Sequence, residues 1–277
     1  MSIIEEAVRK RAGQYGRRAT DTIAQPRVHG RTPPTVEAAP ARQFKTLAVD
    51  PTVMERSCLL PAVSDPAAVR AYKILRTRVL RRLEAQQWRS FGVTSLAPGD
   101  GKTLTSINLA ISLAQNVNVW VFLVDLDLRR SQVAKSFGVS AANGEPGLSD
   151  YLLGDASVDD IIYSPGIERL AIVPNFHPIE DSSETLMGPR TMELLQALER
   201  ETPRRIIIFD LPPLLSSDDV LAFAPQMDCT LLVVAEGVTG RAQLEAAKET
   251  LSEMNLLGVV LNRSAETSER DYYGYSY

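Results

Sequence analysis

The sequence predicts an α/β protein with a mostly parallel sheet flanked by helices, a mobile N-terminal segment and a flexible tyrosine-rich C-terminal tail. Strand-sized apolar runs lie at about 91–95, 119–124, 169–173, 205–209, 229–235 and 257–261. Helical patterns lie between most of them, for example at 103–115, 190–200 and 240–253. The runs are continuously apolar instead of alternating, which is typical of parallel strands covered on both faces.

Composition divides the chain into three parts, 1–62, 63–263 and 264–277. Residues 1–62 begin with a short amphipathic helix, which is either a partner-docking or membrane-surface element or a frayed terminus. They continue as a Pro/Arg-rich stretch that predicts a mobile linker from about 14 to 60. Residues 63–263 hold the strand–helix alternation and form the predicted functional domain. Residues 264–277 are the tyrosine-rich tail.

The first helix of the predicted domain begins with Asp65 as N-cap and Pro66 as its first residue. Its apolar stripe comprises Tyr72, Leu75, Val79 and Leu83. Its basic residues Arg70, Lys73, Arg76, Arg81 and Arg82 are expected to face away from this stripe. They either dock on the acidic body of another copy or form a solvated face.

Composition excludes several classes of protein. The only cysteines, Cys58 and Cys229, are too few for a disulfide framework and indicate a reducing cytoplasm. No apolar run approaches the roughly 18 residues of a membrane span, and the start has no secretory signal, so we expect a cytoplasmic protein. The two histidines, His29 and His177, favour neither a Ser-His-Asp triad nor a zinc site.

The net charge of −4 is unevenly distributed along the chain. Residues 1–90 hold 17 Lys/Arg against 8 Asp/Glu, which leaves 13 against 26 for residues 91–277. A basic segment beside an acidic body can bind anionic lipid, nucleic acid or a neighbouring copy, and the asymmetry alone does not choose. Because interleaved aromatics and a recognisable module are lacking, no nucleic acid is expected as a partner.

A phosphate-binding loop follows the first predicted strand. In "SLAPGDGKTLTSINLAISLA", Gly99 and Gly101 allow backbone N–H groups to close around phosphate oxygens. Lys102 is placed to reach the β and γ phosphates, and Thr103 to offer its hydroxyl to Mg²⁺. Leu96 stands where the strict motif has its first glycine, so a Gly-rich turn with an incidental lysine is the alternative.

Carboxylates end two other predicted strands. Asp125 and Asp127 follow "VWVFLV", and Asp210 ends "RIIIFD". Any one of them alone could be a helix N-cap or a loop residue. Together with the phosphate loop they predict ATP–Mg²⁺ binding, and Asp125 and Asp127 would share one face of an extended strand.

These motifs resemble those of the bacterial P-loop protein-tyrosine kinases (BY-kinases), and more narrowly the tyrosine autokinases of exopolysaccharide loci that lack a membrane span. The resemblance rests on "APGDGKT", "VFLVDLDLRR", "GLSDYLLG", "IIIFDLPP", "GVVLNRS" and the terminal tyrosines, in this order, and covers roughly residues 65–277. It implies a P-loop NTPase fold of the MinD/ParA-like type. It also implies ATP-dependent autophosphorylation on tyrosine that regulates exopolysaccharide synthesis or export.

The resemblance assigns site residues by position. The catalytic residues are Lys102, Asp125, Asp127 and Asp210, with Asp125 assisting deprotonation of the tyrosine. Cofactor-binding residues are Pro98, Gly99, Asp100, Gly101, Lys102, Thr103, Leu104, Arg129 and Asn262, the last one against the adenine edge unless it is a turn asparagine. Metal ligands are Thr103, Asp125 and Asp127, and phospho-acceptors are Tyr272, Tyr273, Tyr275 and Tyr277.

The resemblance also implies partners: a separate membrane-anchored polysaccharide co-polymerase as activator, further copies of the chain, and a tyrosine phosphatase. The activator would hold the protein at the inner face of the plasma membrane. Two positions depart from the family pattern: Ser131 replaces a proline, and Arg70 replaces the glutamate of the oligomerisation motif.

Two alternatives remain at the level of the sequence. A ParA/MinD-like positioning ATPase is the alternative function, although Ala97 stands where that class usually carries an additional lysine. For the tail, which holds four of the eight tyrosines, packing of the aromatic rings is the alternative to phosphorylation.

Overall fold

The computed structural model describes residues 44–63, 65–116, 119–140, 144–202 and 204–264. The predicted N-terminal helix and the tyrosines of the tail lie outside the described residues. The strands are β1 (Lys45–Thr46), β2 (Ser90–Ser95), β3 (Trp120–Asp125), β4 (Tyr163–Ser164), β5 (Leu170–Val173), β6 (Arg205–Asp210), β7 (Cys229–Ala235) and β8 (Leu256–Asn262).

The helices in the described residues are mostly short, with four longer ones. They are α1 (Pro51–Arg56), α2 (Pro66–Gln86), α3 (Lys102–Ala114), α4 (Val133–Ser136), α5 (Leu148–Leu153), α6 (Val158–Ile161), α7 (Ser182–Leu186), α8 (Pro189–Glu201), α9 (Asp219–Phe223) and α10 (Arg241–Glu253). A 3₁₀ turn at Ala224–Gln226 follows α9. The predicted helices at 103–115, 190–200 and 240–253 correspond to α3, α8 and α10.

All eight strands form one sheet in the order β1-β4-β5-β3-β6-β2-β7-β8. From β5 to β8 every neighbouring pair is parallel, and β4 pairs antiparallel with β5. The predicted α/β class and mostly parallel sheet are therefore confirmed. Because parallel strands end at the same edge, the residues after β2, β3 and β6 meet there.

The continuous apolar runs are explained by burial on both faces of the sheet. In β3, Val121 and Leu123 belong to one core cluster, whereas Phe122 and Val124 belong to the cluster on the other face. All four side chains are at most 1% exposed. The side chains of a strand alternate between faces, so a strand covered on both faces is apolar at most of its positions.

The helix α2 begins as its sequence predicts. Asp65 caps it by accepting a hydrogen bond from the Ala67 N–H at 2.9 Å, and Pro66 is its first residue. The prediction that its basic residues all face away is wrong for two of them. Arg76 donates to the Ser112 carbonyl at 3.0 Å, and Arg82 donates to a carbonyl of β8. Both guanidinium groups anchor the helix to its own domain.

The linker predicted from about 14 to 60 is wrong for residues 44–60. The edge strand β1 pairs with β4, and the N–H of Leu47 donates to the Ser164 carbonyl at 2.9 Å. Leu47, Leu59 and Leu60 are buried in the core. This segment lacks sequence periodicity because its elements are very short, so the domain extends N-terminally at least to residue 44, not to 63.

None of the helices in the described ranges is both long enough and apolar enough to cross a membrane.

Candidate nucleotide-binding site

The phosphate loop connects β2 to α3 at the carboxyl edge of the sheet. Gly99 and Gly101 have φ angles of +87° and +96°, a region that favours glycine. The side chain of Asp100 is buried and turns back into the loop, where it accepts from the N–H of Ala97 at 3.1 Å. The loop therefore leads directly into the N-terminus of α3, whose first N–H groups and dipole favour anions.

Lys102, the first residue of α3, is buried among carboxylates. Its Nζ atom lies 2.8 Å from Oδ2 of Asp127 and 3.6 Å from Oδ2 of Asp210. Burial lowers the pKa of Lys102, but the charges of Asp210 and Asp127 raise it by more, so the amine remains protonated. The predicted lysine and two of the predicted acids are thus brought together.

Asp210 ends β6 beneath the start of α3 and accepts hydrogen bonds from two hydroxyls of that helix. Thr103 Oγ1 donates to Oδ2 at 2.7 Å, and Ser106 Oγ lies 2.9 Å from Oδ1. Burial raises the pKa of Asp210, and the charge of Lys102 and the two hydroxyls offset part of that rise. Ser106 was not predicted, although it lies one helical turn beyond Lys102 on the same face.

The strand β3 ends at Asp125, so Asp127 lies beyond it, where the two-residue period of a strand no longer applies. The Oδ2 atom of Asp125 accepts from the N–H groups of Gln132 and Val133, at 3.2 and 3.0 Å. Its Oδ1 atom is buried and has no hydrogen-bond partner among the described residues. Burial, reinforced by the charge of Asp210, raises the pKa of Asp125 to about 8. Asp127 therefore lines the cleft, whereas Asp125 is fully buried, close enough to Asp210, Lys102 and Asp127 for their charges to affect its pKa.

An open cleft of about 580 Å³ lies over Lys102. Its lining comprises Pro98, Gly99, Gly101, Lys102, Thr103, Leu104, Asp127, Arg129, Arg130, Gln132, Pro212, Pro213, Ser216 and Ser217. Of the predicted site residues in the described ranges, Asp100, Asp125, Asp210 and Asn262 are not in this lining. The segments 130–132 and 212–217 were missed, although both directly follow predicted strands at the carboxyl edge.

The end of β8 holds the phosphate loop from the side. Asn262 donates from Nδ2 to the Asp100 carbonyl at 2.8 Å, and Arg263 donates from Nη2 to the Gly99 carbonyl at 2.7 Å. The amide of Asn262, which was predicted to lie against an adenine edge or to be a turn asparagine, supports the loop backbone. Arg263 was not predicted, since no motif links it to a glycine 164 positions earlier.

Comparisons with known proteins agree with this architecture. The family model described as "AAA domain" matches residues 92–250, more than half of the chain. The tyrosine-protein kinase YwqD of Bacillus subtilis is 30% identical over 227 residues, which cover 80% of this chain and 92% of YwqD. The chain belongs to the bacterial tyrosine-protein kinases.

Other bacterial tyrosine kinases are also similar to this chain, in sequence or in structure. The tyrosine-protein kinase CpsD of Streptococcus agalactiae is 29% identical over 198 residues, which cover 71% of this chain and 82% of CpsD. Among solved structures, the kinase domain of Escherichia coli ETK superposes with a TM-score of 0.65 at 28% identity, covering 87% of this kinase and 89% of that chain. The septum site-determining protein MinD of Pyrococcus horikoshii, complexed with Mg-ADP, has a TM-score of 0.53 at 25% identity, covering 65% and 72%. The fold is therefore that of the P-loop ATPases that include both kinases and MinD.

Proposed function

We propose that this kinase transfers the γ-phosphate of ATP to tyrosines of its own C-terminal tail, Tyr272, Tyr273, Tyr275 and Tyr277. One observation carries the proposal: the ammonium group of Lys102 stands in the cleft at the start of α3, flanked by the carboxylates of Asp127 and Asp210. A cation at a helix N-terminus, reached through a loop with two positive-φ glycines, fits the phosphates of a nucleotide.

The donor set also fits Mg²⁺. In the described part of the chain, no group of three or more His, Cys, Asp or Glu side chains forms a ready-made metal cage. Magnesium in phosphoryl-transfer sites needs none, since it is usually held by one or two carboxylates, phosphate oxygens and waters. Thr103 and Asp127 are oxygen ligands in the lining of the cleft, and the buried Oδ1 atom of Asp125, which has no hydrogen-bond partner among the described residues, is the third oxygen that we assign to the ion. When bound, the ion neutralises charge on the transferring phosphoryl group.

The remaining roles follow from position. Lys102 binds the β and γ phosphates, and Asp210 orients Thr103 through the 2.7 Å hydrogen bond. For proton abstraction from the tyrosine we assign Asp125, because burial raises its pKa to about 8 and a raised pKa makes the ionised carboxylate a stronger base. Asp127 is the carboxylate that already faces the cleft, which makes it the second candidate for this role.

The acceptor assignment is supported by where β8, the last strand, ends. Asn262 and Arg263 are hydrogen-bonded to the phosphate loop, so the segment that follows begins beside the cleft. Tyr272 is ten positions beyond Asn262, and an extended chain spans at most about 3.3–3.6 Å per residue. The tail can therefore span at most roughly 35 Å, and we propose that this reach presents a tyrosine to the cleft of a neighbouring copy.

Autophosphorylation in turn suggests a regulatory cycle. Each phosphate adds about −1.5 to −2 charges at neutral pH. Several of them on one tail would repel the acidic residues of the domain and disfavour association between copies. We infer that a membrane-anchored polysaccharide co-polymerase activates the kinase, that a phosphatase resets it, and that the cycle regulates exopolysaccharide synthesis.

The alternative function is a MinD-like ATPase that switches between binding states without phosphorylating protein, which the structural similarity to MinD favours. The purified chain, incubated with labelled ATP and magnesium, distinguishes the two. We expect phosphotyrosine in the wild type and its near-complete loss when Tyr272, Tyr273, Tyr275 and Tyr277 are all replaced by Phe, with ATP binding retained. ADP release without phosphotyrosine supports the ATPase instead.

A matched control uses the tyrosines outside the tail. Tyr151 and Tyr163 are buried, with their hydroxyls donating to carbonyls at 2.9 and 2.7 Å, so neither is expected to accept phosphate. Tyr15→Phe changes a tyrosine near the other terminus and should leave incorporation unaltered. Phosphate found by mass spectrometry mainly on Tyr15, Tyr72, Tyr151 or Tyr163 would refute the assignment to the tail.

A further inference from the structure

Two buried polar side chains, Ser182 and Asp219, are linked by hydrogen bonds to Arg129, which lines the cleft. The Nε atom of Arg129 donates to Ser182 Oγ at 2.9 Å, and that hydroxyl lies 2.8 Å from each carboxylate oxygen of Asp219. Ser182 and Asp219 are both 0% exposed. They are the first residues of α7 and α9, two five-residue helices that are far apart in sequence.

Burying such a series of polar groups costs free energy unless each group has a hydrogen-bond partner. Removing a carboxylate from water disfavours its charged form, and burial indeed raises the pKa of Asp219. The hydroxyl of Ser182 and the positive charge of Arg129 oppose that rise. The serine can donate its single proton to Asp219 while accepting from Arg129, so one hydroxyl joins the buried anion to the cation.

The other end of Arg129 is open. Arg129 lines the cleft together with Lys102 and Thr103, and the residue is largely exposed. Its Nη groups have no hydrogen-bond partner within the part of the chain that the structure describes, because only Nε is engaged. A guanidinium fixed at Nε keeps its Nη edge free for two oxygens of one anionic group.

We propose that Ser182 and Asp219 are positioning residues that hold Arg129 with its Nη edge toward the phosphoryl oxygens of the nucleotide. The proposal rests on the proposed nucleotide site. Neither residue lines the cleft, so neither touches the substrate, and both act through Arg129. A correctly placed cation stabilises charge that develops in the transition state, so its displacement should lower kcat more than it raises the KM for ATP.

The test is a double-mutant cycle on phosphotransfer. Arg129→Ala should lower kcat by about tenfold or more, and Ser182→Ala by a similar factor, since a hydrogen bond to a charged group is lost. In the Arg129→Ala background, adding Ser182→Ala should change kcat by less than about twofold, because the group it positions is gone. Additive effects, or a kcat of Ser182→Ala within about twofold of the wild type, would overturn the proposal.

Two further variants keep the test decisive. Ser183→Ala alters the neighbouring serine of the same helix, for which the structure gives no side-chain hydrogen bond, and should leave kcat and thermal stability unchanged. If Ser182→Ala does not fold, Asp219→Asn replaces it in the cycle, since it keeps the shape of the side chain while it removes the charge and turns one of the two acceptor oxygens into a donor. Total phosphotyrosine and ADP release are both measured, so the cycle can be evaluated whichever tyrosine accepts phosphate, and also if the chain only hydrolyses ATP.

Discussion

The ammonium of Lys102 and the carboxylate of Asp127 form an ion pair of 2.8 Å in the cleft, with only 11% and 7% of the two side chains exposed. A buried ion pair is most sensitive to the loss of one member, because the other is left as an uncompensated charge. Asp210, 3.6 Å from the same nitrogen, depends on Lys102 as well. Lys102, which would bind phosphate, therefore also compensates the negative charges of Asp127 and Asp210.

Lys102→Met should lower the phosphotransfer rate by about 10²–10³ or more, because it removes a preorganised charge from the phosphoryl site and keeps the length of the stem. The protein should remain folded, since the buried carboxyl of Asp210, whose pKa burial already raises, can take up a proton when its cation is lost. The rate is measured as phosphotyrosine formed per unit time. Lys248→Met, on the exposed face of α10, is the control. Undiminished activity in Lys102→Met would contradict the assignment of the site.

Asp125→Asn should change how stability depends on pH in the presence of EDTA. The folded-state pKa of Asp125, raised by burial to about 8, exceeds its ordinary value of 3.8, so the folded protein binds a proton that the unfolded chain releases between these pH values. Stability therefore falls as pH rises from about 4 to 8. The asparagine does not titrate, so the melting temperature of the variant should rise relative to wild type between pH 5 and pH 8. Parallel melting profiles would argue against the raised pKa.

Local patterns predicted the sheet and the phosphate loop, whereas short elements and distant contacts escaped prediction. The strands β3 and β6 are six residues long and contain apolar runs of five and four residues, but β1 and β4 contain only two residues each and have no detectable period. The motif "PGDGKT" contains both the glycines and the lysine, so the loop could be located from one stretch of sequence.

The missed part of the site depends on tertiary contacts. Arg129 reaches Ser182 across 53 positions and Ser182 reaches Asp219 across 37, and serine and aspartate at such distances form no motif. The different environments of Asp125, which is fully buried, and Asp127, which lines the cleft, had another cause. The period of two applies only within a strand, and β3 ends at Asp125.

Gly101→Ala should weaken ATP binding more than Gly99→Ala does. Both glycines have positive φ, so each substitution strains the backbone by a similar amount. A Cβ atom on Gly101 would lie 2.0 Å from Nδ2 of Asn262 and displace the amide that holds the loop, whereas a Cβ atom on Gly99 meets nothing within 4 Å. We expect at least about a tenfold difference between the two dissociation constants, equivalent to the loss of one or two hydrogen bonds. Titration with a fluorescent ATP analogue measures it, and equal losses would show that strain alone determines the effect.

Deletion of residues 1–43 should preserve stability, and deletion of residues 1–62 should destroy the fold. The longer deletion removes four buried side chains, Leu47, Met54, Leu59 and Leu60. Burial of each contributes about 1.5–3 kcal/mol, so their combined loss is comparable with the whole net stability of a typical domain, about 5–15 kcal/mol. The longer deletion also leaves the buried amide of Asn108 without the Leu60 N–H and the Cys58 carbonyl, its partners at 2.8 and 3.0 Å. The two truncated proteins can be compared by circular dichroism during heating. A cooperative transition of residues 63–277 at the same temperature as that of residues 44–277 would show that β1 and α1 add nothing to the stability of the sheet.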